Sequence, residues 1–193
     1  MAVRLFIGLG NPGPRYENTR HNAGFWMLDA VAQKEGVSLR QEGRFSGSVG
    51  KTQEGRLFFK PTTFMNRSGQ AVIALAGFYK ILPTEMLVFH DDLDLPPGTA
   101  RLKQGGGHGG HNGLRDLIAC FGPDFCRMRI GIGHPGQARE VVDYVLDRPN
   151  QEDDQAISTA IQKGLEVLPW VLAGELQKAM NFLHTCPPRE GKT

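Results

Sequence analysis

Six of the nine residues from Gly105 to Gly113 are glycine, inside the stretch RLKQGGGHGGHNGLRDL that runs from Arg101 to Leu117. Each glycine costs roughly 0.5–1 kcal/mol relative to alanine within a helix or strand. The backbone here therefore has to be a loop, one that needs unusual torsions or close approach to something else. Two histidines and an asparagine sit among the glycines. The apolar pattern resumes at Leu114, Leu117 and Ile118, which predicts a helix with Asn112 as its N-cap and its first free amides directed back at the loop. Such a loop feeding a helix N-terminus is a receptor for anions. The competing reading, a flexible linker, fits poorly with so little serine and so much histidine.

The chain opens with a strand over Val3 to Leu9, apolar almost without interruption and so suited to burial on both faces. It runs into GLGNPG. Gly8, Gly10 and Gly13 have the spacing of a dinucleotide fingerprint. Pro12 and Pro14, however, interrupt the point where a phosphate-binding helix would begin, and helical periodicity starts only near Ala23. The turn is read instead as a rigid support for Asn11. A helix follows from about Asn22 to Lys34, with Phe25, Leu28, Val31 and Ala32 on one face and His21 at its entry. The positive end of a helix biases a histidine toward its neutral, proton-accepting form.

Strands at 45–51 and 56–60 form a predicted hairpin that ends at KPTTFMN. The next helix starts near Asn66, its default N-cap, turns Val72, Leu75, Ala76 and Tyr79 inward, and stops before Pro83. Phe64 and Met65 are by default packing residues. A buried strand from Met86 to Phe89 delivers HDDLD, His90 to Asp94. These acids could hold a metal, or one of them, Asp91, could orient a histidine from elsewhere. After a strand over 100–103 and the glycine loop, CRMRIGIG alternates Met128, Ile130 and Ile132 with Arg127 and Arg129, which predicts a strand with a basic, solvent-facing side. The helices beyond Asn150 repeat apolar residues at helical spacing and carry no chemical motif.

The charge balance has direction along the chain. Residues 1–135 hold 16 Lys and Arg against 11 Asp and Glu, whereas residues 136–193 hold 6 against 9, which favours an anionic partner for the first two-thirds. No apolar run approaches the roughly 20 residues that span a bilayer, and Met1 to Gly10 lacks a signal-peptide cleavage site; the expectation is a cytoplasmic protein. Cys120, Cys126 and Cys186 show no C-x-x-C spacing and read as reduced packing residues. The length suits a single α/β domain, a mixed twisted β-sheet flanked by helices, with its motifs within 3–146 and packing helices at 150–185.

Asn11, Asn66, Asp91 and Asn112 all follow the carboxyl ends of predicted strands, where open α/β sheets place their ligand crevice. With His21 they form a base, a carboxylate to hold its tautomer, and amides that donate and accept hydrogen bonds. This is equipment for activating water against a polarised carbonyl. A covalent route lacks a nucleophile, because no G-x-S-x-G elbow and no loop cysteine is present.

Five ordered motifs, GLGNPGPRYENTRHNAGF, PTTFMNRSGQAV, HDDLDLPPG, KQGGGHGGHNGLRD and RIGIGHPG, together resemble the bacterial peptidyl-tRNA hydrolase family over about 3–146. The resemblance implies metal- and cofactor-independent hydrolysis of the ester between tRNA and a blocked peptide, in the service of translation and the rescue of stalled peptidyl-tRNA, by a cytoplasmic protein expected to be a monomer. It implies His21 as the base and Asp91 as its stabiliser. Asn11 would discriminate blocked from free aminoacyl groups, Tyr16, Phe64, Asn66 and Asn112 would bind the substrate end, and Met65 and His111 would line the site. Lys103 and Arg129 fall where the family clamps tRNA phosphate. One departure is Asp92, where the pattern leads one to expect Glu; a water-facing side chain there would matter little. A metal-dependent phosphoesterase built on HDDLD and a non-catalytic tRNA-binding module are the alternative classes.

Overall fold

The computed structural model describes residues 2–185; Cys186 lies outside them. Among the described residues, seven strands form one sheet: β1 (Leu5–Gly8), β2 (Arg40–Glu42), β3 (Gly47–Lys51), β4 (Leu57–Pro61), β5 (Met86–Asp92), β6 (Ala100–Gln104) and β7 (Cys126–Gly131), in the order β2-β3-β4-β1-β5-β7-β6. The four central strands β4, β1, β5 and β7 run parallel to one another, while β2, β3 and β6 attach antiparallel at the edges. The mixed α/β sheet expected from the sequence is the one observed. No described helix is long and apolar enough to cross a membrane.

Alternation along the central strands divides the core in two. Phe6, Phe58, Leu87 and Phe89 pack on one face with α1 (Ala23–Lys34), α5 (Gln151–Glu166), α6 (Leu168–Leu172) and α7 (Leu176–Thr185). Leu5, Ile7, Phe59 and Val88 pack on the other with α2 (Ser68–Tyr79) and α3 (Asn112–Phe121). Strands buried on both faces need no polar alternation, which is why β1 and β5 read as unbroken apolar runs. A further short helix, α4 (Val141–Val145), crosses near the carboxyl ends of the strands.

The glycines of the first motif serve packing. A Cβ on Gly8 would lie 2.7 Å from Gly24 O and from Leu28 Cβ, and one on Gly24 would lie 2.6 Å from Leu9 O and strike Phe89 O. Helix α1 can therefore sit directly on β1 and β5, which brings its N-terminal end, with His21, to the carboxyl edge of the sheet.

Two predicted caps are revised. The capping side chain of α3 is His111, whose Nδ1 accepts the Leu114 amide at 3.2 Å, and Asn112 is the first helical residue. Asn66 lies within a 3-10 turn (Met65–Arg67) ahead of α2 and caps nothing. At α5 the cap is Asn150, whose Oδ1 accepts from Asp153 N at 2.8 Å.

Candidate active site

The loops after β1, β4, β5 and β6 enclose a cleft of about 750 Å³, and every residue singled out in the sequence lines it: Asn11, Tyr16, His21, Phe64, Met65, Asn66, Asp91, Lys103, His111, Asn112 and Arg129. Its floor is a buried carboxylate. Asp91 accepts from His21 Nδ1 at 2.9 and 3.0 Å and from His111 Nε2 at 2.8 Å. Burial alone would raise its pKa, but the two imidazoles outweigh that and hold the carboxyl well below the usual range.

The hydrogen bonds fix both tautomers. His111 uses Nδ1 as an acceptor for the α3 cap, so the proton facing Asp91 is on Nε2. His21 donates through Nδ1, which leaves Nε2 as its basic nitrogen. Burial pulls the His21 pKa down; the charge of Asp91 and its hydrogen bond pull harder the other way, and the net shift is upward. A third imidazole, His90, donates through Nδ1 to the Asp91 carbonyl at 2.7 Å. Enclosed and packed edge to face on His111, it is held neutral, mainly by burial, with its pKa far below the usual value.

One ligand atom each from His21, Asp91 and His111 lies within 4.8 Å of the others, close enough to consider a metal. His111 weighs against it. To ligate through Nε2 it would have to move its proton to Nδ1, which would then point at the Leu114 N–H and destroy the α3 cap.

The amides are also oriented. Asn11 is buried, and its Oδ1 accepts from the Met65 amide at 2.8 Å, which turns the Nδ2 donor to the cleft. Its backbone is held on both sides by Asn22, whose Oδ1 accepts from Asn11 N at 2.8 Å and whose Nδ2 donates to Asn11 O at 3.0 Å. Asn22, in the sequence simply the start of a helix, is thus a support of the site. Asn112 Oδ1 accepts from Arg115 at 3.2 Å, so its free end is again the donor. Phe64 does not pack inside as its default predicts: it is 57% exposed and meets Tyr16 edge to face at 6.3 Å, whereas Met65 is buried.

The basic strand also departs from expectation. Arg127 and Arg129 share a face, but Arg127 is buried and donates to the carbonyls of Gly107 and Gly106 at 2.7 and 2.8 Å. It holds down the glycine loop, whose Gly105, Gly106, Gly109 and Gly110 all have positive φ. The side chain of Asp92 does not face water freely. It accepts from Arg129 Nε at 2.7 Å. Lys103 is exposed beside the loop, its ammonium end packed so near Gly106 that a Cβ there would come within 2.8 Å.

The family model described as peptidyl-tRNA hydrolase matches residues 5–191. The chain is 54% identical over 185 residues to a peptidyl-tRNA hydrolase of Coxiella burnetii, covering 95% of this chain and 98% of that one. It is 55% identical to one of Methylococcus capsulatus, covering 94% and 99%. The crystal structure of peptidyl-tRNA hydrolase from Acinetobacter baumannii superposes with a TM-score of 0.93 at 44% identity over 96% of each chain.

Proposed function

The chain belongs to the peptidyl-tRNA hydrolase family, and on that premise we propose that it hydrolyses the ester between the 3′ end of tRNA and a peptide or N-blocked aminoacyl group, with His21 as general base on water. The observation that carries this reading is the His21–Asp91 pair. A buried carboxylate fixes the imidazole with its proton on Nδ1 and its lone pair on Nε2, the arrangement a base needs to take a proton from water. The resulting imidazolium is stabilised by the same carboxylate.

The amide donors account for the rest of the reaction. In the attack the ester carbonyl becomes a tetrahedral oxyanion, and Asn112, with its oxygen engaged by Arg115, offers N–H to that charge, joined by Asn66 at the other wall. As the tetrahedral centre collapses, the ribose oxygen leaves and takes the proton that His21 received from water. Asn11 supplies the discrimination. With its oxygen bound to Met65 N it meets the substrate as a donor, so a blocked group's carbonyl can accept from it whereas a free ammonium, itself only a donor, cannot. Tyr16 and Phe64 offer flat surface to the terminal base or the acyl side chain. Lys103 and Arg129 hold tRNA phosphate nearby.

Incubation with N-acetyl-aminoacyl-tRNA and with its unblocked counterpart tests the proposal. Ester cleavage is expected for the first and little for the second; equal cleavage of both removes the role given to Asn11, and cleavage of neither removes the reading.

A further inference from the structure

Arg20, the residue before the proposed base, does not reach toward the carboxylate. Its guanidinium is directed at the segment that carries α4. Nη1 donates to the carbonyls of Tyr144 at 3.2 Å and Asp147 at 3.4 Å, the guanidinium carbon lies 4.1 Å from the Tyr144 ring centroid, and Nη2 is 3.7 Å from Asp153 Oδ2 in the first turn of α5. The Arg20 backbone amide also donates to Asp147 O, at 3.1 Å. The side chain is only 8% exposed, an uncommon place for arginine; its terminal nitrogens are engaged, whereas Nε is buried without a partner. Tyr144 is fastened from the other end as well, its hydroxyl donating to Ile132 O at 2.6 Å.

This bracket holds one wall of the cleft. Val142, Val145 and Leu146 line it, and Val142 is 64% exposed, an apolar surface directed at open space. We propose that Arg20 is a positioning residue that sets the distance between this apolar wall and His21, so that the acyl or peptidyl chain packs on α4 while its ester carbonyl sits at the base. The inference rests on the hydrolase reading for the identity of the chain, though the bracket itself does not. Lysine keeps the charge at this position but cannot bridge two carbonyls and stack on a ring with one planar fork.

The test uses the full-length Arg20→Lys and Tyr144→Leu variants and their combination, with peptidyl-tRNA as substrate. A wall that drifts from the base weakens substrate seating while the proton transfer stays intact. KM is expected to rise roughly tenfold in each single variant, with kcat changed about threefold or less and the rising limb of the pH profile unmoved. The double variant should raise KM by less than the product of the two single effects, since both substitutions break the shared Arg20–Tyr144 ring stack. Amide hydrogen exchange over 141–147 should accelerate in both. Unchanged KM and exchange would overturn the inference, as would a shifted pH limb, which would mean that Arg20 acts on His21 directly. A lowered Tm with wild-type kinetics and exchange would reduce Arg20 to a structural residue and also overturn it. Should Arg20→Lys fail to fold, Tyr144→Leu carries the same measurements. Loss of ester cleavage in the wild type would remove the hydrolase reading, and the exchange result would still decide the bracket.

Discussion

Arg129 donates its Nε–H to Oδ2 of Asp92 at 2.7 Å, across the β5–β7 pair and one residue from the carboxylate that holds His21. The pair leaves the guanidinium forked toward the cleft but partly neutralised, whereas Lys103 stands exposed without a carboxylate partner among the described residues. In the proposed phosphate clamp the two bases would therefore contribute unequally. Lys103→Ala should lower tRNA affinity and flatten the slope of log affinity against log salt by about 0.7–0.9, one phosphate contact. Asp92→Asn should tighten binding at low salt by freeing Arg129. Superimposable salt slopes for wild type and Lys103→Ala, or weaker binding by Asp92→Asn, would count against the clamp.

His21→Ala should cut hydrolysis by about 10²–10⁴-fold, the usual contribution of a general base, with tRNA affinity altered only a few-fold because the proposed phosphate clamp is on other residues. Single-turnover rates and a binding titration on the same preparation check it; a fully active variant would sink the base assignment.

The pH profile follows from Asp91. The His21 pKa is raised above its ordinary 6.5, so the rate should climb through an ionisation above that value. In Asp91→Asn the carboxylate charge is gone and burial is left to act alone, so the limb should move to lower pH while the maximal rate falls. Stability carries a matching signature. The raised His21 pKa stabilises the fold below 6.5 and loses its effect as pH climbs through the folded value; the depressed Asp91 pKa stabilises it above 3.8 and loses its effect as pH falls further. The Tm difference between wild type and Asp91→Asn should therefore be greatest between those two pH values, as a thermal-melt series would reveal.

Chelator should leave the rate unchanged, because metal ligation by His111 would cost the α3 cap. A rate that falls with EDTA and returns with a divalent ion would favour the phosphoesterase alternative.

Gly24→Ala should destabilise the protein by about 1–3 kcal/mol, the range for overpacking, since the added methyl meets the backbone carbonyls of Leu9 and Phe89. Denaturant titration measures this. A neutral result would mean that α1 can lift from the sheet at no cost.

Elements with a strong apolar rhythm were legible: β1, β5, the β3–β4 hairpin and the inner faces of α1 and α5 all lie where periodicity predicts. β2 was not, because Arg40–Glu42 is wholly exposed and an edge strand of that kind carries no apolar signal. The site residues were visible as polar interruptions at strand ends. Their supports were hidden. Arg127 alternates with Met128 like a solvent-facing base, and only the folded glycine loop, offering two carbonyls, makes its burial affordable. Likewise nothing in the order of residues announces that Asn22 holds Asn11, or that the Asn112 position would yield its capping role to His111, whose ring nitrogen accepts the Leu114 amide.

The place of β1 has a consequence for how the protein is made. Leu5–Gly8 leaves the ribosome ahead of both its neighbours, β4 and β5, which are encoded later and pair with it in parallel. Until residue 92 has emerged, that apolar strand has an open edge and must wait, which is slow and exposed to aggregation. His21 likewise has no carboxylate until Asp91 follows it, and the carboxylate has no second imidazole until His111 does. A member of a family that frees tRNA from peptidyl chains thus carries no assembled site at any nascent length short of α3, and its own synthesis must run well past the middle before the first copy can work.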